Sequence, residues 1–159
     1  MLHAQELLIA ANVFSGVKRI GLILVAAFAA GCNVGLLLGT GTVDMDGEWR
    51  LQSGTLDGDP IPLVADAPIT LRIDGTEAGG TSACNRYGGT LRADGGRVRF
   101  SDLHGTLIGC EGDVGASEAA YLQALSAVTH VDRIGVTLVL TGDGNGMELR
   151  FIDTAAEGG

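Results

Sequence analysis

Residues Val136–Phe151 read V-T-L-V-L-T-G-D-G-N-G-M-E-L-R-F. Val136, Leu138 and Leu140 recur at every second position, and Met147, Leu149 and Phe151 do so again after Asp143-Gly144-Asn145-Gly146. Side chains alternate between the two faces of a strand, so each run carries one apolar face and one wet face. Two such runs joined by a Gly/Asp/Asn turn predict an antiparallel hairpin.

The same period recurs toward the N-terminus. Trp49 and Leu51 alternate with Glu48 and Arg50; Ile69, Leu71 and Ile73 with Thr70, Arg72 and Asp74; Val98 and Phe100 with Arg97 and Arg99. Asp74-Gly75 and Asp94-Gly95-Gly96 stand at the breaks as turns. Helical spacing occurs in Ser117–Val128, where Tyr121, Leu122, Leu125 and Val128 form one stripe and Ser117 stands at the N-cap position. The expected fold class is mainly β (α+β): a curved antiparallel sheet or small barrel with one packed helix. The chain has 159 residues, 26 of them Gly and few aromatic, which suits one domain of short strands and tight turns.

Charge is distributed unevenly. Lys18 is the only lysine, and from Cys32 onward eight Arg face eighteen Asp and Glu, a net −10. Such a surface repels phosphate backbones, so no nucleic-acid partner is expected. The absence of lysine beyond position 18 also removes Schiff-base and P-loop chemistry from the domain.

Residues 17–32 run V-K-R-I-G-L-I-L-V-A-A-F-A-A-G-C: two positive charges, an apolar stretch, then small residues up to Cys32. This is the layout of a secretory signal segment. Ala29-Ala30-Gly31-Cys32 resembles the lipobox of bacterial lipoproteins, which implies lipid attachment at Cys32; the family pattern usually has Leu where Ala29 stands. A transmembrane anchor is the other reading, because no charge interrupts Ile20–Val43, 24 residues. Either way the domain is expected to be exported and tethered to a membrane. Residues 1–16 look like neither signal nor domain, and a start near Val17 would explain them. The expected organisation is thus residues 1–31 as extension plus signal peptide, 32–46 as lipidated cysteine and poorly ordered tether, 47–153 as the domain, and 154–159 as a disordered tail.

Cys84 and Cys110 are the thiols of the folded part, and an exported protein meets an oxidising compartment, so a disulfide between them is expected. As zinc ligands they lack a second close pair, and as a redox couple they lack the Cys-x-x-Cys spacing. A catalytic Cys84 would need His104 or His130 as base, and neither stands in a recognisable catalytic context. Asp44/Asp46 and Asp57/Asp59 offer too few oxygens for calcium. No catalytic residue, metal or cofactor is expected.

Between these cysteines stands Ser82–Gly89, S-A-C-N-R-Y-G-G. The order W-R-L at Trp49, T-L-R-I-D-G, C-N-R-Y-G-G, T-L-I-G-C, a helix with A-Y-L-Q-A-L and a terminal hairpin resembles the META domain of HslJ-type proteins, over about Asp46–Asp153. The most specific parts are Cys84-Asn85-Arg86-Tyr87 with Gly89, and Thr106-x-x-x-Cys110. The family commonly has Gly where Ala83 stands; if that position needs positive φ, alanine there carries a strain of about 1 kcal/mol. The resemblance implies a partly open barrel with one helix, often carried on envelope lipoproteins, and no enzymatic activity common to the family. Members are linked to heat-shock expression, novobiocin resistance in enteric bacteria and virulence in trypanosomatid parasites.

Within the octet, Asn85 is expected to hydrogen-bond its own turn, Arg86 to pair with a carboxylate or bind an anion, and Tyr87 to begin a strand with its ring on the core. The expected function is that of a non-enzymatic, membrane-tethered envelope lipoprotein whose domain is a binding or envelope-stress and stability module. Its partner would be an unidentified protein or apolar ligand. The alternatives are a carrier of an acyl chain or hydrophobic drug inside the barrel, for which Ala119, Ala120, Ala124 and Ala127 leave room, and a single-pass transmembrane META protein. The expected location is the periplasmic face of a bacterial envelope, with Asn33 favouring the outer membrane by analogy with enteric lipoproteins.

Overall fold

The structure is a computed structural model and describes residues 42–144 and 146–158. The signal segment, Cys32 and the tether up to residue 41 lie outside the described residues.

Among the described residues nine strands form one antiparallel sheet: β1 (Gly47–Leu56), β2 (Asp59–Pro60), β3 (Thr70–Asp74), β4 (Glu77–Thr81), β5 (Arg86–Asp94), β6 (Arg97–Gly105), β7 (His130–Ile134), β8 (Thr137–Thr141) and β9 (Glu148–Asp153). Their order is β2-β1-β3-β4-β5-β6-β7-β8-β9, and β1 also pairs with β9, which bends the sheet into a near-ring. β1 is long enough to pair with β3 along Gly47–Arg50 and with β9 along Trp49–Thr55. A register shift between Leu51 and Ser53 marks the bulge at which it bends.

The ring is thinnest between β6 and β7, which share the single pair Arg97↔His130. Backbone bonds from Val98 N–H to Thr129 O and from Val131 N–H to Gly96 O, both 2.9 Å, hold that end of the seam. The chain between these two strands carries helix α1 (Gly112–Ser126), which packs against β1, β6 and β9. The partly open barrel with one helix is therefore the observed architecture.

The alternating apolar positions meet inside. Trp49, Leu71, Leu138, Leu140, Leu149 and Phe151 from the strands and Tyr121 and Leu125 from α1 are fully buried. Each such side chain contributes about 1.5–3 kcal/mol relative to exposure. Tyr121 lies edge-on to both Tyr87 and Phe151, with ring centroids 5.6 and 6.4 Å apart. The interior that a carried ligand would need is thus occupied by the protein's own side chains. Ala124 is buried among them, whereas Ala119 and Ala127 are exposed.

Several local expectations fail for identifiable reasons. The helix begins at Gly112 after an extended Glu111, so Ser117 is not its cap but a fully buried residue inside it. The stripe therefore starts earlier than apolar spacing reveals, because the first turn is Gly, Asp and Val rather than large apolar residues. Val136 precedes β8 and is 48% exposed; Leu138 and Leu140 face the core as expected. The end of the supposed tether docks: Met45 is buried, its carbonyl accepts the Trp49 indole N–H at 2.8 Å, and Asp46 accepts the Gly75 N–H at 2.9 Å. The supposed disordered tail forms a 3₁₀ turn at Thr154–Gly158, with Glu157 paired to Arg50 and Thr154 donating to the Glu48 carbonyl at 3.0 Å.

Candidate functional site

The Ser82–Gly89 octet forms the corner between β4 and β5. Ser82 N–H donates to the Asn85 carbonyl at 2.7 Å, closing a tight turn with Ala83 at φ 75°. Ala83 thus occupies the left-handed region, where its Cβ is strained by about 1–2 kcal/mol. Ser82 and Asn85 are buried although polar, so their hydrogen bonds must come from inside the protein.

Asn85 uses all four of its amide positions. Its Nδ2 donates to the Ile108 carbonyl and to Glu118 Oε2, each at 3.0 Å. Its Oδ1 accepts from Ile108 N–H at 2.8 Å and from Thr106 Oγ1 at 2.7 Å. The Ser82 hydroxyl lies 2.6 Å from Glu118 Oε1 and 2.9 Å from the Asn85 carbonyl; its one proton goes to the carboxylate, the stronger acceptor. Thr106 closes the circuit, since its Oγ1 accepts the Arg86 N–H at 3.2 Å and its own N–H donates to the Arg86 carbonyl at 3.0 Å. The Asn85 side chain therefore braces a loop 21 to 23 residues away, not the backbone of its own turn.

The disulfide adds a covalent tie to the same loop. Cys84 and Cys110 are bonded, with Cα atoms 6.3 Å apart. Cys84 consequently offers no thiolate. His104 points its Nδ1 at the Asp102 carbonyl, 2.9 Å away, while His130 meets Thr129 and Asp143 at β7.

What the braced loop holds out is apolar. Leu107 is 99% exposed and Ile108 63%. Beside them a groove of about 480 Å³ runs between the loop and α1, lined by Leu103, Ile108 and Leu122, with Ser82, Asn85 and Glu118 also on its wall. Arg86 is exposed at the edge of this groove, and among the described residues its guanidinium has no carboxylate within ion-pair distance. Tyr87 turns the opposite way, as expected. Its phenol oxygen lies 2.9 Å from the Thr70 carbonyl and 2.5 Å from that of Tyr121, and burial pushes both phenol pKa values well above the usual tyrosine range.

Comparison with known proteins agrees with this geometry. The family model described as "META domain" matches residues 42–156. The chain belongs to the META domain family. An NMR structure of a protein from Burkholderia xenovorans is 34% identical over 67% of this chain and 81% of that one, with a TM-score of 0.55. A crystal structure of a DUF4847 family protein from Bacteroides vulgatus, 15% identical over 67% of this chain and 92% of that one, has a TM-score of 0.50 and speaks for the fold alone. Comparison with curated proteins gives no match.

In this META domain the three motif residues separate by role: Asn85 is internal bracing, Tyr87 is core, and Arg86 is left at the surface. Sequence reasoning missed Glu118, whose carboxylate joins Ser82 to Asn85 from α1. A polar residue one position from Ser117 carries no signal when apolar spacing starts the helix there. Leu107 and Ile108 were also missed as exposed groups, because apolar residues in a short run are ordinarily assigned to the interior.

Proposed function

We propose that this META protein is a non-enzymatic binding module of the bacterial cell envelope, exported and held at a membrane by lipid on Cys32, with the Leu107–Ile108 loop and its adjoining groove as the binding surface. One observation carries the reading: the disulfide and three of the four hydrogen-bonding positions of the Asn85 amide go into fixing a loop that exposes two large aliphatic side chains. Adjacent exposed aliphatic side chains beside an apolar groove form the kind of contiguous patch that marks an interaction site. Rigid presentation lowers the ordering cost of binding. A role in envelope stress or stability would follow from what the loop engages.

The lipoprotein-like A-A-G-C at Cys32 and the twin charges of Lys18 and Arg19 support export and lipid tethering; Asn33 favours the outer membrane. The uncharged stretch Ile20–Val43 favours a transmembrane anchor as the second reading. The packed interior speaks against a carrier that holds its cargo inside the barrel.

Two measurements test the proposal. Labelled-palmitate incorporation should vanish in Cys32→Ala together with membrane attachment; unchanged attachment without label would favour the transmembrane anchor. A photocrosslinking residue at position 107 should trap a discrete envelope component in living cells, whereas one at Asp94 should not. Equal yields at the two positions would defeat the binding surface.

A further inference from the structure

Arg86 borders three cavities, one of about 580 Å³ toward Glu48, Arg72 and Glu77 and two of different character on the side of the loop. The groove of about 480 Å³ is aliphatic along Leu103, Ile108 and Leu122. The other on that side, of about 390 Å³, is a shallow depression on the outer face of β5 and β6 lined by Arg86, Gly88 and His104. Arg86, Tyr87, His104, Gly105 and Thr106 line both, so the cavities adjoin.

A glycine lines the depression. Gly88 pairs with His104 across the strands, and a Cβ at Gly88 would lie 3.0 Å from His104 Nε2. A Cβ there would crowd the imidazole, which lies over the sheet and lines the same depression as Arg86. With Nδ1 donating to the Asp102 carbonyl, Nε2 is the nitrogen left on the Gly88 side. The groove also carries an orienting group on its α1 wall. Glu118 carries negative charge there, its two oxygens held by Ser82 and Asn85, so an anionic head is repelled from the helix side and drawn to Arg86.

Resting on the reading of this loop as a binding surface, the geometry points to a single-chain anionic amphiphile as its ligand, an acyl carboxylate whose head pairs with Arg86 and whose tail lies between Leu103, Ile108 and Leu122. Guanidinium and carboxylate form a bidentate pair, and the aliphatic walls remove the tail from water. The groove's volume lies within the roughly 300–1,000 Å³ of small-molecule sites. A neutral apolar ligand would leave Arg86 unused, and a cationic one would meet it as a like charge.

The test uses the full chain in zwitterionic-lipid nanodiscs with two photoreactive probes of equal tail length, a dodecanoate and a dodecyltrimethylammonium, followed by peptide mapping. The carboxylate probe is expected to label Leu103–Gly109 and Leu122 several-fold more than the ammonium probe. Unlabelled dodecanoate should compete at least tenfold better than octanoate, since each fully buried methylene strengthens binding by roughly fourfold. Arg86→Glu should abolish the head-group preference and Arg86→Lys should keep it, with melting temperatures of both near wild type because the side chain is exposed. Equal labelling by both probes, labelling away from the groove, or competition only by an apolar peptide with a free carboxylate would overturn the proposal. In the last case the in-cell crosslink from position 107 would still be seen, so failure of the ligand class is distinct from failure of the binding surface.

Discussion

Asn85 and Ile108 exchange two hydrogen bonds, Nδ2 to the Ile108 carbonyl at 3.0 Å and Ile108 N–H to Oδ1 at 2.8 Å, so a buried side-chain amide plays the part of a strand neighbour for an exposed loop. Asn85→Asp keeps the shape but removes the donor, and it brings a second carboxylate against Glu118. The expected loss is about 2–4 kcal/mol in urea unfolding, the cost of the lost bond to the Ile108 carbonyl plus carboxylate repulsion in a part-buried site. Adding Glu118→Gln to the Asn85→Asp variant restores a donor at that contact and should recover more than half of the loss. A double-mutant cycle without coupling would show that Glu118 is not part of the brace.

The disulfide between Cys84 and Cys110 closes the chain around the same loop. Replacing Cys110 by Ala is expected to cost about 2–4 kcal/mol. Hydrogen exchange at Leu107 and Ile108 should rise more than at Leu138 in the core. Before reduction, neither Cys84 nor Cys110 should react with a thiol reagent; a freely reactive Cys84 would contradict the bridge.

Ala83 and Ala124 are both buried alanines, yet Gly should affect them in opposite directions. At φ 75°, Ala83 carries left-handed strain that Ala83→Gly relieves, offset by the lost methyl and the greater freedom of the unfolded chain. The net is expected between zero and a gain of about 1 kcal/mol. Ala124→Gly sits inside α1, where helix propensity and lost burial add to a cost of about 1–2 kcal/mol. Chemical denaturation of the two variants checks the sign.

The barrel was legible wherever large apolar residues alternate, as at Trp49/Leu51, Leu71/Ile73, Val98/Phe100 and Leu138/Leu140. It was not legible at β4, whose E-A-G-G-T lacks a hydrophobic face because its backbone lies too close to β5: a Cβ at Gly79 would meet the Tyr87 carbonyl at 2.9 Å. The site divided in the same way. Cys84, Cys110 and Tyr87 could be assigned from chemistry that hardly depends on neighbours, whereas the partners of Asn85 lie 21 to 33 residues away and follow only from the closed ring.

Tyr87 and Tyr121 are the two tyrosines of the chain, and their phenol oxygens lie 2.5 Å apart in the core. Desolvation is the largest cause of the raised pKa in each, because a phenolate would lose its hydration there. The hydrogen bond between them pulls Tyr87 down slightly and pushes Tyr121 up, but both remain well above 10, the ordinary value. In the unfolded chain both phenols ionise near pH 10. Folded-state values raised above the unfolded ones contribute stability that is fully present below about pH 10 and is lost as pH rises toward the folded values. Stability should therefore fall above pH 10 with two protons released on unfolding. Tyrosinate absorbance should stay near zero in the native state and rise for both residues together with loss of the native circular dichroism. Tyr87→Phe should leave one proton in that linkage and a shallower alkaline slope. Tyrosinate absorbance appearing near pH 10 while the fold persists would mean that the pair is open to solvent and would rule out the buried arrangement.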